Sequence, residues 1–248
     1  MTWPFVILFV AAFWAGIQNA LAGGGTFITL PALMFTGMNA LQANITSTIA
    51  LFPGQWTSSW GGRNHVAGAG GLPFKALVAI SLAGGVVGAI LLLETPSDIF
   101  KHLLPWLVLF ATSVFAYGSF MPKKDDRPPG LGPIGAGIAQ FCIAIYGGYF
   151  GGGIGFLMLA ALTAAGLAIR NANASKNVLA GVMNFSAVAI FVFSPQVHWL
   201  QCGVACVAAA LGGLVGGHLA SRVNQKFLRI AAVAIGVALT VGLFLRAP

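Results

Sequence analysis

The 248 residues are 58% hydrophobic and 6% charged, with a formal net charge of +8. Soluble domains are about a quarter charged, so this chain cannot cover a water-facing surface and is read as an integral membrane protein. Its apolar runs are too long and too weakly alternating for barrel strands, so the spans are expected to be helices.

Residues 2–22 form the first apolar stretch. Ala20-Leu21-Ala22 imitates a signal-peptidase site, but Met1-Thr2-Trp3-Pro4 has no basic residue, so the segment is expected to stay as a helix. Gly23-Gly24-Gly25 follows, with a short apolar run over 26–36. The third stretch, 40–62, carries Ala43-Asn44-Ile45-Thr46-Ser47. Stretches 73–93 and 99–120 complete the first half, and the fourth contains Gly84-Gly85-Val86-Val87-Gly88.

Pro122-Lys123-Lys124-Asp125-Asp126-Arg127-Pro128-Pro129 is the one strongly hydrophilic break. It divides the chain into repeats over 1–121 and 131–248, joined by a cytoplasmic linker at 122–130. The second half restates the first. Stretch 131–150 leads into Gly151-Gly152-Gly153, then a short run over 154–166. Ala172-Asn173-Ala174-Ser175-Lys176 opens stretch 173–194, and Gly212-Gly213-Leu214-Val215-Gly216 lies in stretch 197–220, before the last at 227–246. The register is 128 residues, from Gly23 to Gly151, with one residue of slippage at the Asn motif. Duplicated halves in an apolar chain are a common build for secondary transporters.

The run after each Gly triplet is too short to span a bilayer as a helix: it reaches under about 20 Å against a core of about 30 Å. Each triplet is expected to turn the chain within the membrane. If each half crosses an odd number of times, Arg63, Lys75, Lys123, Lys124, Arg127, Arg170, Lys176, Arg222, Lys226 and Arg229 share one side, and Lys101 and Arg246 the other. Four spans per half would split these charges evenly. The positive-inside rule prefers the first arrangement, with basic loops cytoplasmic, both termini outside, and the second half inverted. The expected fold is therefore an all-α polytopic membrane protein of two inverted repeats, about five helical segments each. The Gly84/Gly88 and Gly212/Gly216 pairs would pack the halves together or form a homodimer.

All four acids, Glu94, Asp98, Asp125 and Asp126, fall in loops or at helix ends. A cation site at membrane depth commonly uses a buried carboxylate, so a cation substrate is disfavoured. The acid–base pair of a hydrolase is missing too, and Cys142, Cys202 and Cys206 lack metal-ligand spacing. Neither an enzyme, nor a metal or cofactor site, nor a nucleic-acid partner is expected. GGGTF is not a phosphate-binding P-loop, since no Lys-Ser/Thr follows it.

What lies at depth is neutral and donor-rich. Asn44, Thr46, Ser47 and Gln55 lie in the third stretch, and Asn173, Ser175, Lys176, Asn177 and Asn184 in its counterpart. Polar groups in hydrocarbon must face protein or water, and such residues in membranes commonly serve function. The backbone of Gly23, Gly24, Gly25, Gly151, Gly152 and Gly153 adds N–H donors where helices begin, and a helix N-terminus favours an anion. Lys176 either binds that anion or snorkels to the surface beside Arg170. Arg63, His65 and Arg170 are placed at the cytoplasmic mouth. Gln18 and Asn19, like Tyr146 and Tyr149, would bond the substrate or brace the turn.

The doubled pattern of Gly triplet, small apolar run, Gly and then Ala-Asn-x-Thr/Ser resembles the TauE/SafE sulfite exporter family. The similarity runs from about Phe5 to Phe244, and its specific parts are Gly23 to Ser47, with Pro31, and Gly147 to Lys176. The second half has Leu159 in place of Pro31 and Lys176 in place of the Ser47 hydroxyl. The resemblance implies a carrier of sulfite, organosulfonates or related sulfur anions in the bacterial inner membrane. The expected function is export of such an anion, sulfite first, by alternating access. An anion channel with a continuous pore is the alternative.

Overall fold

A computed structural model describes residues 3–21, 23–62, 65–120, 130–219 and 225–246; of residues 57–62, 217, 219, 225, 226 and 246 it describes the backbone alone. Arg63 and most of the linker at 122–130 lie outside the described residues. Among the described residues the chain is helical throughout. α1 spans Trp3–Leu21, α2 Thr26–Phe35, α3 Ala40–Gly62, α4 Phe74–Glu94 and α5 Ser97–Phe120. α6 spans Pro133–Tyr149, α7 Ile154–Ala164, α8 Ile169–Phe191, α9 Trp199–Leu219 and α10 Gln225–Arg246. One isolated bridge, Ala69 to Leu72, is the only β pairing among the described residues.

Helices satisfy every interior backbone group within the segment, which a bilayer demands. Several stop where the chain supplies glycine or proline. Gly37 and Gly166, at φ of +98° and +91°, end α2 and α7; their N–H groups bond Met34 O and Thr163 O at 3.0 Å each. Pro133 opens α6 at a position where a missing N–H costs nothing. Among the described residues six helices, α1, α4, α5, α8, α9 and α10, are long and apolar enough to cross a membrane. With 10 and 11 residues, α2 and α7 are about 15 Å long.

The helices pack in matched pairs. α1 lies on α9 and α4 on α6; α3 meets α9 and α4 meets α8; α2 meets α10 and α7 meets α5. Exchanging the first five helices for the last five turns each of these contacts into its partner, and α3 against α8 maps onto itself. The close crossings use the small-residue pairs. A methyl at Gly212 would overlap the Phe13 carbonyl on α1, and one at Gly88 would overlap the Ile145 carbonyl on α6. These glycines therefore join helices within one chain. Without a hydrophobic drive between helices in lipid, such van der Waals approach supplies much of the association.

Phe27, Phe100, Phe115, Phe150 and Phe191 are fully buried among Leu8, Leu30 and Leu33. Trp3, Phe35, Trp106, Phe193 and Leu214 are exposed, the outward apolar surface expected of a chain in lipid. On another side, the segment after α3 is tied to α8. Ser175 Oγ accepts from Ala67 N at 2.9 Å and donates to Ala67 O at 3.1 Å. Ser175→Ala is expected to cost about 1–2 kcal/mol, two modest neutral bonds. It should appear as faster amide exchange at Ala67 with little change elsewhere.

Candidate functional site

The two glycine turns are built alike. The Gly23 N–H bonds Gln18 O at 3.0 Å, and the Gly151 N–H bonds Tyr146 O at 3.3 Å, each reaching five residues back. Gly23 and Gly24 take φ of +81° and +86°; Gly151 and Gly153 take +81° and +73°. L-side chains rarely adopt this region, so the backbone here is set by glycine. After each turn the next helix carries the same bond at matching positions, Ile28 N to Gly25 O at 3.0 Å and Phe156 N to Gly153 O at 3.1 Å. The first amides of α2 and α7, at Thr26 and Ile154, precede these bonds, at helix starts where intrahelical acceptors are lacking.

Both turns open on one cavity of about 480 Å³. Gly23, Gly24 and Thr26 line it from one half; Gly151, Gly152, Gly153, Ile154 and Gly155 line it from the other. Gln55 enters from α3, and Asn173, Lys176 and Asn177 from α8. No carboxylate is among the lining residues. An apolar wall faces these donors. Phe115 meets Phe27 edge-on at 6.2 Å and Phe156 at 4.6 Å, and all three rings line the space.

The remaining polar residues of the two clusters stand behind the wall. Asn184 Nδ2 donates to Gln55 Oε1, so Asn184 holds a lining side chain without lining the cavity itself. Ser47 Oγ shares a 2.5 Å hydrogen bond with Thr29 Oγ1, which also donates to Gly25 O at 3.3 Å. Gly25 packs the start of α2 on α1: a methyl there would come within 2.9 Å of Ala15 O. Asn44 reaches across to the Tyr149 carbonyl at 3.0 Å. Asn44 Oδ1 and Thr46 Oγ1 are buried with no hydrogen-bond partner among the described residues, a condition that costs about 1–3 kcal/mol per group. Ser175 serves the Ala67 segment. At the exposed end of α8, Arg170 Nη2 lies 3.2 Å from His65 Nε2, and neither lines the cavity.

Gln18 braces the first turn, donating through Nε2 to Gly23 O at 3.3 Å and Leu228 O at 3.0 Å. Asn19 lines the cavity. Arg229 of α10 also lines it, a role the sequence did not suggest. The signal was present: Arg229 is a charge inside the last apolar stretch, and such charges usually face protein or water. Its distance along the chain from Lys176 concealed the convergence.

A family model described as Sulfite exporter TauE/SafE matches residues 8–243. The chain belongs to the TauE/SafE sulfite exporter family. Like its relatives, this TauE/SafE protein is a multi-pass membrane transporter. It is 33% identical to the probable membrane transporter protein ORF9 of Sinorhizobium sp, over 95% of this chain and 90% of that protein. It is 29% identical to the probable membrane transporter protein YfcA of Escherichia coli K12, over 94% and 87% of the two chains. A probable membrane transporter protein of Haemophilus influenzae is 30% identical over 94% and 92%. No solved structure matches this TauE/SafE chain.

Proposed function

We propose that this protein exports a small sulfur-containing anion, sulfite foremost, across the bacterial inner membrane by alternating access around the glycine-turn cavity. One observation carries the reading: two helix starts, Lys176, Arg229 and the amides of Gln55, Asn173 and Asn177 converge on one space without a carboxylate. Helix N-termini and cationic side chains both favour negative charge, more strongly where water is scarce. Gly24, Gly152 and Gly153 supply backbone donors, whereas the Gly23 and Gly151 N–H groups expected to join them are spent on Gln18 O and Tyr146 O; Asn44, Thr46, Ser47, Ser175, Asn184 and Gly25 hold the frame behind them. An organosulfonate would place its apolar part against Phe27, Phe115 and Phe156.

Two inverted halves, 1–121 and 131–248, would rock about this point, with basic loops cytoplasmic and both termini periplasmic. The packing pairs that exchange between halves support that symmetry. Proteoliposomes loaded with sulfite test the reading. Saturable efflux, with counterflow by external sulfite, is expected. Asn173→Leu, which puts an apolar side chain into the donor ring, should reduce efflux to the level of empty vesicles. Flux that never saturates and shows no counterflow would establish the channel instead. No sulfite flux above empty vesicles would reject the substrate.

A further inference from the structure

The two Asn motifs occupy unlike surroundings. Asn44 on α3 is 1% exposed and donates to the carbonyl of Tyr149, the last residue of α6. Tyr149 is gripped twice more by the first five helices and the turn between them: its Oη donates to Thr95 Oγ1 at 3.2 Å, and its ring lies 5.9 Å from Phe100. The register that carries Gly151 onto Gly23 carries Tyr149 onto Leu21, the last residue of α1. The counterpart contact would join Asn173 to the Leu21 carbonyl. That contact is open, and Asn173 and Leu21 both line the cavity.

We propose that Asn44–Tyr149 and Asn173–Leu21 are paired latches that close in turn during the transport cycle. In the state described here the first is shut and the second is parted by the cavity. In the opposite state, the Asn173 amide donates to the Leu21 carbonyl, the cavity mouth narrows, and Asn44 releases Tyr149. The latches are unequal. Leu21 has neither the hydroxyl nor the ring that adds two contacts at Tyr149. The cavity-open state is therefore the resting one. The proposal rests on the two-state transport reading but needs no particular substrate.

Spin labels at Ala20→Cys and Ala168→Cys report the separation of the α1 end from the α8 start, since these exposed residues sit beside Leu21 and before α8. Cys142, Cys202 and Cys206 are replaced by alanine, and the full chain is placed in nanodiscs without substrate. Pulsed dipolar spectroscopy then reads the ratio of narrow to wide distances. Asn44→Leu should raise that ratio about fivefold, the weight of one hydrogen bond, and Asn173→Leu should lower it by a similar factor. Tyr149→Phe keeps the carbonyl and loses the Thr95 bond, so it should raise the ratio less; it carries the test if Asn44→Leu does not fold. Shifts of both Asn variants in one direction, or no shift in the folded variants, overturn the latches. Because no sulfite is present, a protein that fails to move sulfite yet shows opposed shifts keeps the latches and loses only the substrate.

Discussion

Gly212→Ala is expected to lower the thermal unfolding midpoint and the yield of monodisperse protein. The added methyl would overlap the Phe13 backbone carbonyl and lie 2.8 Å from its carbon. Backbone cannot swing aside as a side chain can, so α1 and α9 must part along the whole crossing. Overpacking of this kind costs about 1–3 kcal/mol, and in lipid no hydrophobic term offsets it. Gly16 sits at the same crossing, its missing Cβ pressed against the Ala209 carbonyl, so Gly16→Ala should behave alike. Gly203, also on α9, has nothing within 4 Å of an added Cβ. Gly203→Ala should therefore leave stability level or raise it by up to about 1 kcal/mol, through helix propensity alone. Equal midpoints for Gly203→Ala and Gly212→Ala would show that the crossing tolerates separation.

Lys176→Gln should weaken sulfite binding about tenfold to a hundredfold while leaving the fold intact. A charge-assisted hydrogen bond to an anion contributes about 1.5–3 kcal/mol. Glutamine retains a donor but removes the charge. Lys176→Arg should recover part of the loss, because it restores the charge with a different donor geometry. Arg229→Gln should weaken binding as well, since Arg229 shares the cavity wall. Sulfite-dependent thermal stabilisation of the purified variants reads these affinities directly. Unchanged affinity in Lys176→Gln would show that Lys176 lines the cavity without engaging the anion.

Most helices among the described residues were legible because glycine or proline lies at one of their ends. The Gly triplets predicted turns before Thr26 and Ile154, and both α2 and α7 start there. The third stretch of the second half begins earlier than its apolar run, at Ile169, because Arg170 and Asn171 are tolerated in the first turn of a helix end facing solvent. The candidate site was legible in kind but only partly in membership. Gln55, Asn173, Lys176 and Asn177 line the cavity, whereas Asn44, Ser47 and Ser175 spend their polar groups on Tyr149, Thr29 and Ala67. Nothing in the local pattern separates the two groups. On a helix of 3.6 residues per turn, Ser175 and Lys176 are neighbours in sequence and face different partners.

Composition alone placed this chain in a membrane, and the repeated glycine motifs marked the turns before α2 and α7. Those properties are local: they depend on which residues can bear lipid and which backbone angles a residue allows. The cavity, the entry of Arg229, and the unlike fates of Asn44 and Asn173 arose only when α1–α5 packed against α6–α10. Two similar motifs met unlike surroundings once the helices packed: Asn44 lies at the Tyr149 carbonyl and Asn173 on the cavity wall.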